Sequence, residues 1–515
     1  MKKYSLLIGL YLIFLSPIYL IGQVNDLNGE IQIQNANKFL FRTIDANTQL
    51  QVLSGNVKMK QGTMYLDADS VTYNEQTKLI EAFGNVHIQD GDSLNIYSDY
   101  LLYEGGNKIA NFKNNVRLTD GSGTLTTKLL EYDMKTKLGN YKNGGTIVSK
   151  QTTLTSESGY FNGNKKEVRF VGKVKMTDAD LTLTADSLLY NSQKRVANFI
   201  APTNIKTGSS VIQVKKGTYD LNTKKAKFSG RTRIQDSTSF ITANDFVFDE
   251  TSGQGEAQGD VDFIDTAQNI LLKCGKLFFN KKRKNVLAVG KPVMTLIDKT
   301  DSVFIAADTI YSAKYAELAP LNSDDTLKFI TAYRNVRIYN DSLQAICDSL
   351  FYGEKDSLFK LYQQPVAWSR NSQILGDTIL IETINRQPKA MHVIDNAMVA
   401  QEIDHHFKFY NQIKGKIING YFKNGAIDLI ESSGNSESIY YIKDENDAYI
   451  GMNRSEADEI SIFFYESAIK KIKFNTAVKG TTYPVRQIPE DDKLFKSFKW
   501  LESKRPKNKH ALFVN

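Results

Sequence analysis

Gly55-Asn56-Val57-Lys58-Met59, followed by Met64-Tyr65-Leu66-Asp67-Ala68-Asp69-Ser70-Val71-Thr72-Tyr73, is the unit from which most of this chain is written. Its first half returns as Gly84-Asn85-Val86-His87-Ile88, Asn115-Val116-Arg117-Leu118, Gly172-Lys173-Val174-Lys175-Met176, Gly259-Asp260-Val261-Asp262-Phe263 and Asn335-Val336-Arg337-Ile338. With weaker copies, apolar anchors fall at Val57, Val86, Val116, Ile147, Val174, Ile205, Ile234, Val261, Val293, Val336, Val366 and Met398. The intervals run from 27 to 32 residues, with one of 43 that takes in Glu317 to Asp325, read as a surface insertion. A period held this long means a stacked array of one small unit.

The second half of the unit is echoed by Leu181-Thr182-Leu183-Thr184-Ala185-Asp186-Ser187-Leu188-Leu189-Tyr190, and more weakly near Leu94, Phe304, Leu343 and Leu375. Leu181, Leu183 and Ala185 share one parity, whereas Leu188 and Tyr190 share the other. Side chains alternate with period 2 along a strand, so the slip needs a bulge or corner at Asp186-Ser187. The same slip recurs at Asp69-Ser70, Asp308-Thr309, Asp348-Ser349 and Asp377-Thr378. A short acidic side chain followed by a hydroxyl can bond the backbone groups that such a corner frees. Asp69, Asp186, Asp308, Asp348 and Asp377 are therefore read as structural corners. A calcium column would need a glycine-rich nonapeptide between the acids, and none is present.

Turn residues such as Asn74-Glu75, Asp120-Gly121 and Asn162-Gly163-Asn164 separate the strands, which implies antiparallel neighbours. The expected fold is all-β: an elongated antiparallel β-jelly roll or solenoid of stacked ~30-residue two-strand repeats. Composition agrees, with 26 Tyr, 28 Phe and only 9 Pro in 515 residues, and no long stretch of helical periodicity. The tyrosines at 73, 103, 132, 190 and 219 recur in register and read as a packing ladder.

Residues 1–22 read as a signal peptide, or an N-terminal anchor if uncleaved: Lys2 and Lys3, an apolar run from Leu6 to Ile21, then Gly22. Residues 23–400 form the repeat array, 401–480 a divergent β continuation, and 481–515 a tail rich in basic and aromatic residues. That tail is read either as an amphipathic basic helix for a membrane surface or as a cap on the end of the stack. Cys274 and Cys347 occupy the slot of Ala68 and Ala185, two repeats apart. Repeats ~5–10 Å apart along the stack put the sulfurs beyond disulfide reach, so both are expected to be free, buried thiols. The net charge of +8 is a mild bias that identifies no partner. The five histidines show no zinc spacing, and no nucleophile elbow or phosphate loop occurs, so no catalytic residue, metal or cofactor is expected and the chain is read as a non-enzyme.

The Gly-Asn-Val strand followed by Ala-Asp-Ser-Leu-x-Tyr resembles the OstA-like family, the organic-solvent-tolerance and lipopolysaccharide-transport proteins of the Gram-negative envelope. The resemblance is carried by Gly55-Asn56-Val57 with Ala68-Asp69-Ser70, Gly84-Asn85-Val86 with Ser98-Asp99, and Val174 with Ala185-Asp186-Ser187, and covers roughly residues 40 to 400. It implies a semi-open, V-shaped jelly roll in the periplasm whose apolar interior holds lipopolysaccharide acyl chains. Val57, Met59, Leu66, Val86, Ile88, Leu94, Ile96, Val116, Leu118, Val174, Met176, Leu181 and Leu183 would line that groove. It also implies head-to-tail β-strand addition to other transport components, joining inner- and outer-membrane proteins, with no nucleic acid involved. The family's soluble bridge is much shorter, so this chain would be several modules fused. Nothing after residue 400 offers the strands of the outer-membrane member's barrel. The competing readings are a structural or adhesive solenoid with a sealed core, and a carbohydrate-binding or carbohydrate-degrading solenoid.

Overall fold

Strand after strand is bent at its middle, and the bend has a local chemical cause. In Thr48–Gln61 the pair Gly55-Asn56 takes φ of +75° and +48°, and in Leu79–Asp90 the pair Gly84-Asn85 takes +71° and +43°. Glycine and asparagine are the residues that enter this left-handed region at least cost. Ser54 pairs with Ser70 and Val57 with Ala68, so two residues of one strand face the single Asp69 of the next. Buried side chains keep their parity along the Gly-Asn strand (Leu53, Val57, Met59) but switch it along the Asp-Ser strand (Leu66, Ala68, then Val71, Tyr73). The parity slip is thus half of a two-strand device. The other half is the Gly-Asn pair, which stands at the middle of a strand rather than at its start.

The acids complete the corner. Asn85 Nδ2 donates to Asp69 at 2.9 Å, Asn115 to Asp99 at 2.7 Å, Asn335 to Asp308 at 3.2 Å and Asn396 to Asp377 at 2.9 Å. Asp186 and Asp348 stand exposed at the same corner, and the repeats that follow them carry Ala201-Pro202 and Gln363-Gln364 in place of the asparagine. Replacing Asn85 with valine forces a β-branched residue into the left-handed region and removes the bond to Asp69. We expect Asn85→Val to destabilise the protein by about 1–3 kcal/mol in urea unfolding, and an unchanged midpoint would discard this account of the corner.

The structure, a computed structural model, describes residues 30–515 apart from 46–47, 299–301, 319–326, 385–386, 424–425, 466–467 and 514–515. The expected signal peptide and most of the expected insertion lie outside the described residues. The described residues form 37 strands and five single-turn 3-10 helices, and every registered pairing is antiparallel. Each bent strand gives one half to a first layer, represented by residues 57–61 and 64–68, and the other to a second layer, represented by 48–54 and 70–74. The chain divides into two units, residues 1–142 and 143–515. In each, the apolar faces of the two layers point toward one another and form the core.

In the second unit the three strands between Phe409 and Tyr465 lengthen to 15–18 residues but keep the corner, with Gly434-Asn435 at φ +80° and +54°. The tail is neither of the two forms expected. Past the strand Lys479–Pro484 it contains only 3-10 turns (Val485–Gln487, Glu490–Asp492, Glu502–Lys504, Ala511–Phe513), with Pro489 and Pro506 opposing a longer helix. It runs back across the outer face of the first layer, where three glutamines hold it. Gln412 donates to the Lys493 carbonyl at 2.9 Å and accepts from the Phe495 amide at 3.1 Å. Gln373 does the same for Lys499 and Leu501, both at 2.6 Å, and Gln344 accepts from the Arg505 guanidinium at 2.6 and 2.8 Å. Ile488 and Phe495 pack with Met398, Ile439, Tyr441 and Met452, so this stretch of sheet is buried on both faces.

Candidate functional site

The interior between the layers is built from cross-strand rows. In the first unit Met59, Leu66, Ile88, Ile96, Leu118 and Leu125 are each the cross-strand partner of the next. Val57, Val86 and Val116 lie two residues nearer the corner, and Leu94 nearer the opposite rim. In the second unit an equivalent row runs Ile147, Leu154, Met176, Leu183, Ile205, Ile212, Ile234, Ile241. It continues without a break through Phe263, Leu272, Met294, Ile305, Ile338, Ala345, Ala367, Ile374 and Val399 to Ile413. Val174 and Leu181 flank this row. All thirteen residues expected to line a groove face the interior, and each is 0–7% exposed. Met398, by contrast, points outward, and Val399 takes the inward place that its period had promised to it.

The second layer carries the aromatic ladder. Tyr73, Ile80, Tyr103, Ala110 and Tyr132 are successive cross-strand partners, and in the second unit Tyr190, Ala197, Tyr219, Ala226, Phe248, Gly255 and Phe279 repeat the pattern. Apart from Ile80, rings alternate with Ala or Gly along the ladder. A Cβ added at Gly255 would lie 2.1 Å from the Phe279 ring. The ladder read from the tyrosine spacing is present, and all five of those tyrosines are buried.

Away from the corners, the two layers meet at a polar rim that the sequence reading missed. Tyr103 donates to Gln61 across the layers, and Gln61 donates to the Gly105 carbonyl at 3.2 Å. In the second unit Asp178 of the first layer takes Arg195 of the second, with both side chains 9% exposed, and Thr152 joins them. Thr207 and Tyr219 both donate to Glu250, so burial and this carboxylate hold the Tyr219 hydroxyl well above its ordinary value. Lys281 meets Asp236 at 3.2 Å and Lys328 meets Asp265 at 2.8 Å. The partners lie 17 to 63 residues apart in the chain. Only the stacking of repeats makes them neighbours, which is why no short motif announces them.

Cys274 and Cys347 are free and buried opposite Val261 and Val336, in the slot where Ala68 faces Val57. Burial pushes both thiols up to about 12, so they are neutral near pH 7 and unsuited to nucleophilic work. His87 is half-buried rather than freely exposed, stacked on Tyr97 at 4.3 Å and bonded to Asn95 at 2.9 Å.

One opening into the interior lies among the last repeats. A cavity of about 70 Å³ there is bordered by Val399, Ile413, Ile430 and Ile462, and also by the polar Ser372, Gln401, Asn411, Gln412 and Ser438. It lies beyond the residues that the sequence had marked as a groove. Among the described residues no helix is long and apolar enough to cross a membrane.

Residues 28–175 and 159–244 match the family model described as OstA-like protein. Residues 28–244 are thus similar to that family. Among solved structures, this chain is similar to LptH of Pseudomonas aeruginosa, described as the LptA-homologous periplasmic component of a lipopolysaccharide transport device. That match has 12% identity, covers 34% of this chain and 83% of the other, and has a TM-score of 0.10, too slight to carry an argument. None of the curated proteins matches.

Proposed function

We propose that this chain is a periplasmic conduit that carries lipopolysaccharide toward the outer membrane, with acyl chains lying against the interior rows. The observation that carries the reading is the inward apolar row that each unit carries through the residues matching the OstA-like model. Rungs spaced ~4.8 Å apart offer a hydrocarbon chain the same contact at every step, which makes a slide rather than a pocket. Val57, Met59, Leu66, Val86, Ile88, Leu94, Ile96, Val116, Leu118, Val174, Met176, Leu181 and Leu183 are its proposed lining in the first repeats. The rim contacts must part to admit lipid, and single exposed pairs there are weak enough to do so. No reaction is involved, and energy comes from a partner at the inner membrane.

Docking to other transport components by strand addition fits the N-terminal edge. Strand Lys38–Asp45 is exposed along its length, and Phe39, Leu40, Phe41 and Ile44 are 45, 63, 59 and 54% exposed. An N-terminal signal would deliver the chain to the periplasm. One observation favours a sealed structural core instead: the thirteen proposed lining residues are almost fully buried. A photo-crosslinking residue placed in turn at Met59, Ile88 and Met176 separates the two. Lipopolysaccharide adducts in cells are expected, whereas a folded protein giving no adduct at any of the three positions establishes the sealed core.

A further inference from the structure

The chain's charge is not spread evenly. Residues 467–515 hold twelve Lys and Arg against four Asp and Glu, which is the whole net charge of +8. The 466 residues before them balance, with 53 of each kind. An excess confined to one segment sets up a local field that scattered charge does not.

The fold separates these cations from the acids. Three of the four acids, Glu490, Asp492 and Glu502, are taken by Lys493, by Arg454 at 2.9 Å and by Arg505 at 3.5 Å. On the sheet beside the tail, Glu437 is taken by Lys414 at 2.7 Å, and Glu456 stands opposite Lys479. Lys496, Lys499, Lys504, Lys507 and Lys509 are all exposed, and none is ion-paired among the described residues.

What the tail rests on explains their direction. Gln344, Trp368, Gln373, Ala400, Gln412 and Ile439 are each the cross-strand partner of the next, and Arg454 ends the row. Asp492 is held by Arg454 at one end and Arg505 by Gln344 at the other, so the tail follows this single row. Six strand spacings of ~4.8 Å make its path about 29 Å long. The rings between the lysines turn inward: Phe495 is 3% exposed, and Phe498 and Trp500 lie 4.9 and 5.0 Å from the Tyr410 ring. The lysines are left on the solvent side.

We propose that this strip docks the protein on a membrane surface rich in anionic phospholipid. Its exposed cations are lysines, point charges that suit a field of headgroup phosphates rather than one fixed bidentate partner. The rings are committed to the sheet, so the strip adsorbs without driving a wedge into the hydrocarbon, and it offers no stacking platform to the bases of a nucleic acid. The attraction is therefore electrostatic and reversible. It lies on the outer face and is independent of the conduit reading, which concerns the inward rows.

Flotation of the full chain with phosphatidylcholine vesicles, with and without phosphatidylglycerol, tests it. A gain in affinity with phosphatidylglycerol is expected, whatever the first 22 residues add to both kinds of vesicle. Raising salt from about 0.1 to about 1 M shortens the screening length from about 10 to about 3 Å and should abolish the gain. Lys496→Gln, Lys499→Gln, Lys504→Gln and Lys507→Gln combined should weaken binding to the anionic vesicles at least about 50-fold, at up to about five-fold per lysine. Glutamine at Lys137, Lys150, Lys165 and Lys224, exposed lysines elsewhere, removes equal charge and should change binding no more than about two-fold. No gain from phosphatidylglycerol overturns the proposal, including where the chain is held by heparin or DNA. Equal losses in the two fourfold variants also overturn it, because net charge and not the strip then carries the affinity. Should the strip variant not fold, acetylation of the wild-type lysines on anionic vesicles decides instead. Slower reaction at Lys496, Lys499, Lys504 and Lys507 supports the strip, and unchanged rates there overturn it.

Discussion

A chain ending after Pro484 loses about 5 kcal/mol or more from its last repeats and becomes prone to aggregate. The estimate comes from what the tail buries. Ile488, Phe495 and Leu512 are 8, 3 and 2% exposed, and full burial of such side chains is worth about 1.5–3 kcal/mol each. Removing them also uncovers Trp368, Met398, Ile439, Tyr441 and Met452 on the outer face, a contiguous apolar patch of the kind that drives association. A milder version isolates the polar part. Gln373→Leu leaves the Lys499 carbonyl and the Leu501 amide without their partners, at an expected cost of about 2–3 kcal/mol. The two tryptophans of the chain both report on this contact: Trp368 is fully buried in the row between Gln344 and Gln373, and Trp500 lies 5.0 Å from the Tyr410 ring. Urea titration followed by tryptophan emission is therefore the measurement. Equal midpoints for the full chain and the shortened one would show that the tail merely rests on the sheet.

The second large effect is at the rim. Asp178→Ala should cost about 3–5 kcal/mol, because it leaves the Arg195 cation buried without its carboxylate. Thr152 at 3.0 Å and Asn222 at 3.3 Å remain as partners for Arg195, but neither carries charge. The comparison is Asp236→Ala, which breaks the more exposed pair with Lys281, at 30 and 20% exposure, and should cost no more than about 1 kcal/mol. Asp178→Leu combined with Arg195→Met should recover most of the loss, since apolar replacement of a buried pair is often neutral. Similar losses for Asp178→Ala and Asp236→Ala would mean that Arg195 reaches water and that the rim is uniformly weak. If the interior is a conduit, Asp178–Arg195 is also the pair that most resists its opening, so the paired apolar substitution should leave crosslinking at Met176 unchanged or raise it.

The repeat, its period and the inward residues were legible because they are local. A strand shows one face to the core at every second residue, so Met59, Ile88 and Met176 betray their direction from their neighbours alone. The Asp-Ser parity slip was legible for the same reason. Its counterpart was not, because Gly-Asn is a turn signal and a strand start in equal measure, and only the register of Ser54 with Ser70 and Val57 with Ala68 places it at mid-strand. The tail misled through composition. Leu494, Phe495, Phe498, Trp500 and Leu501 among lysines look like an amphipathic helix, yet the glutamine side chains of distant strands satisfy its backbone and remove the need for one.

By itself, then, the order of residues determined an all-β array of bent two-strand units with an apolar interior, because alternation and turn chemistry act over a few residues. Only the tertiary structure decided which polar groups close the rim, where the tail lies, and where the interior is left unfilled. Asp178 and Arg195, and Gln373 and Leu501, become neighbours by stacking and layering. Nothing in their sequence spacing ties them together, and the physics that joins them begins once the strands are paired.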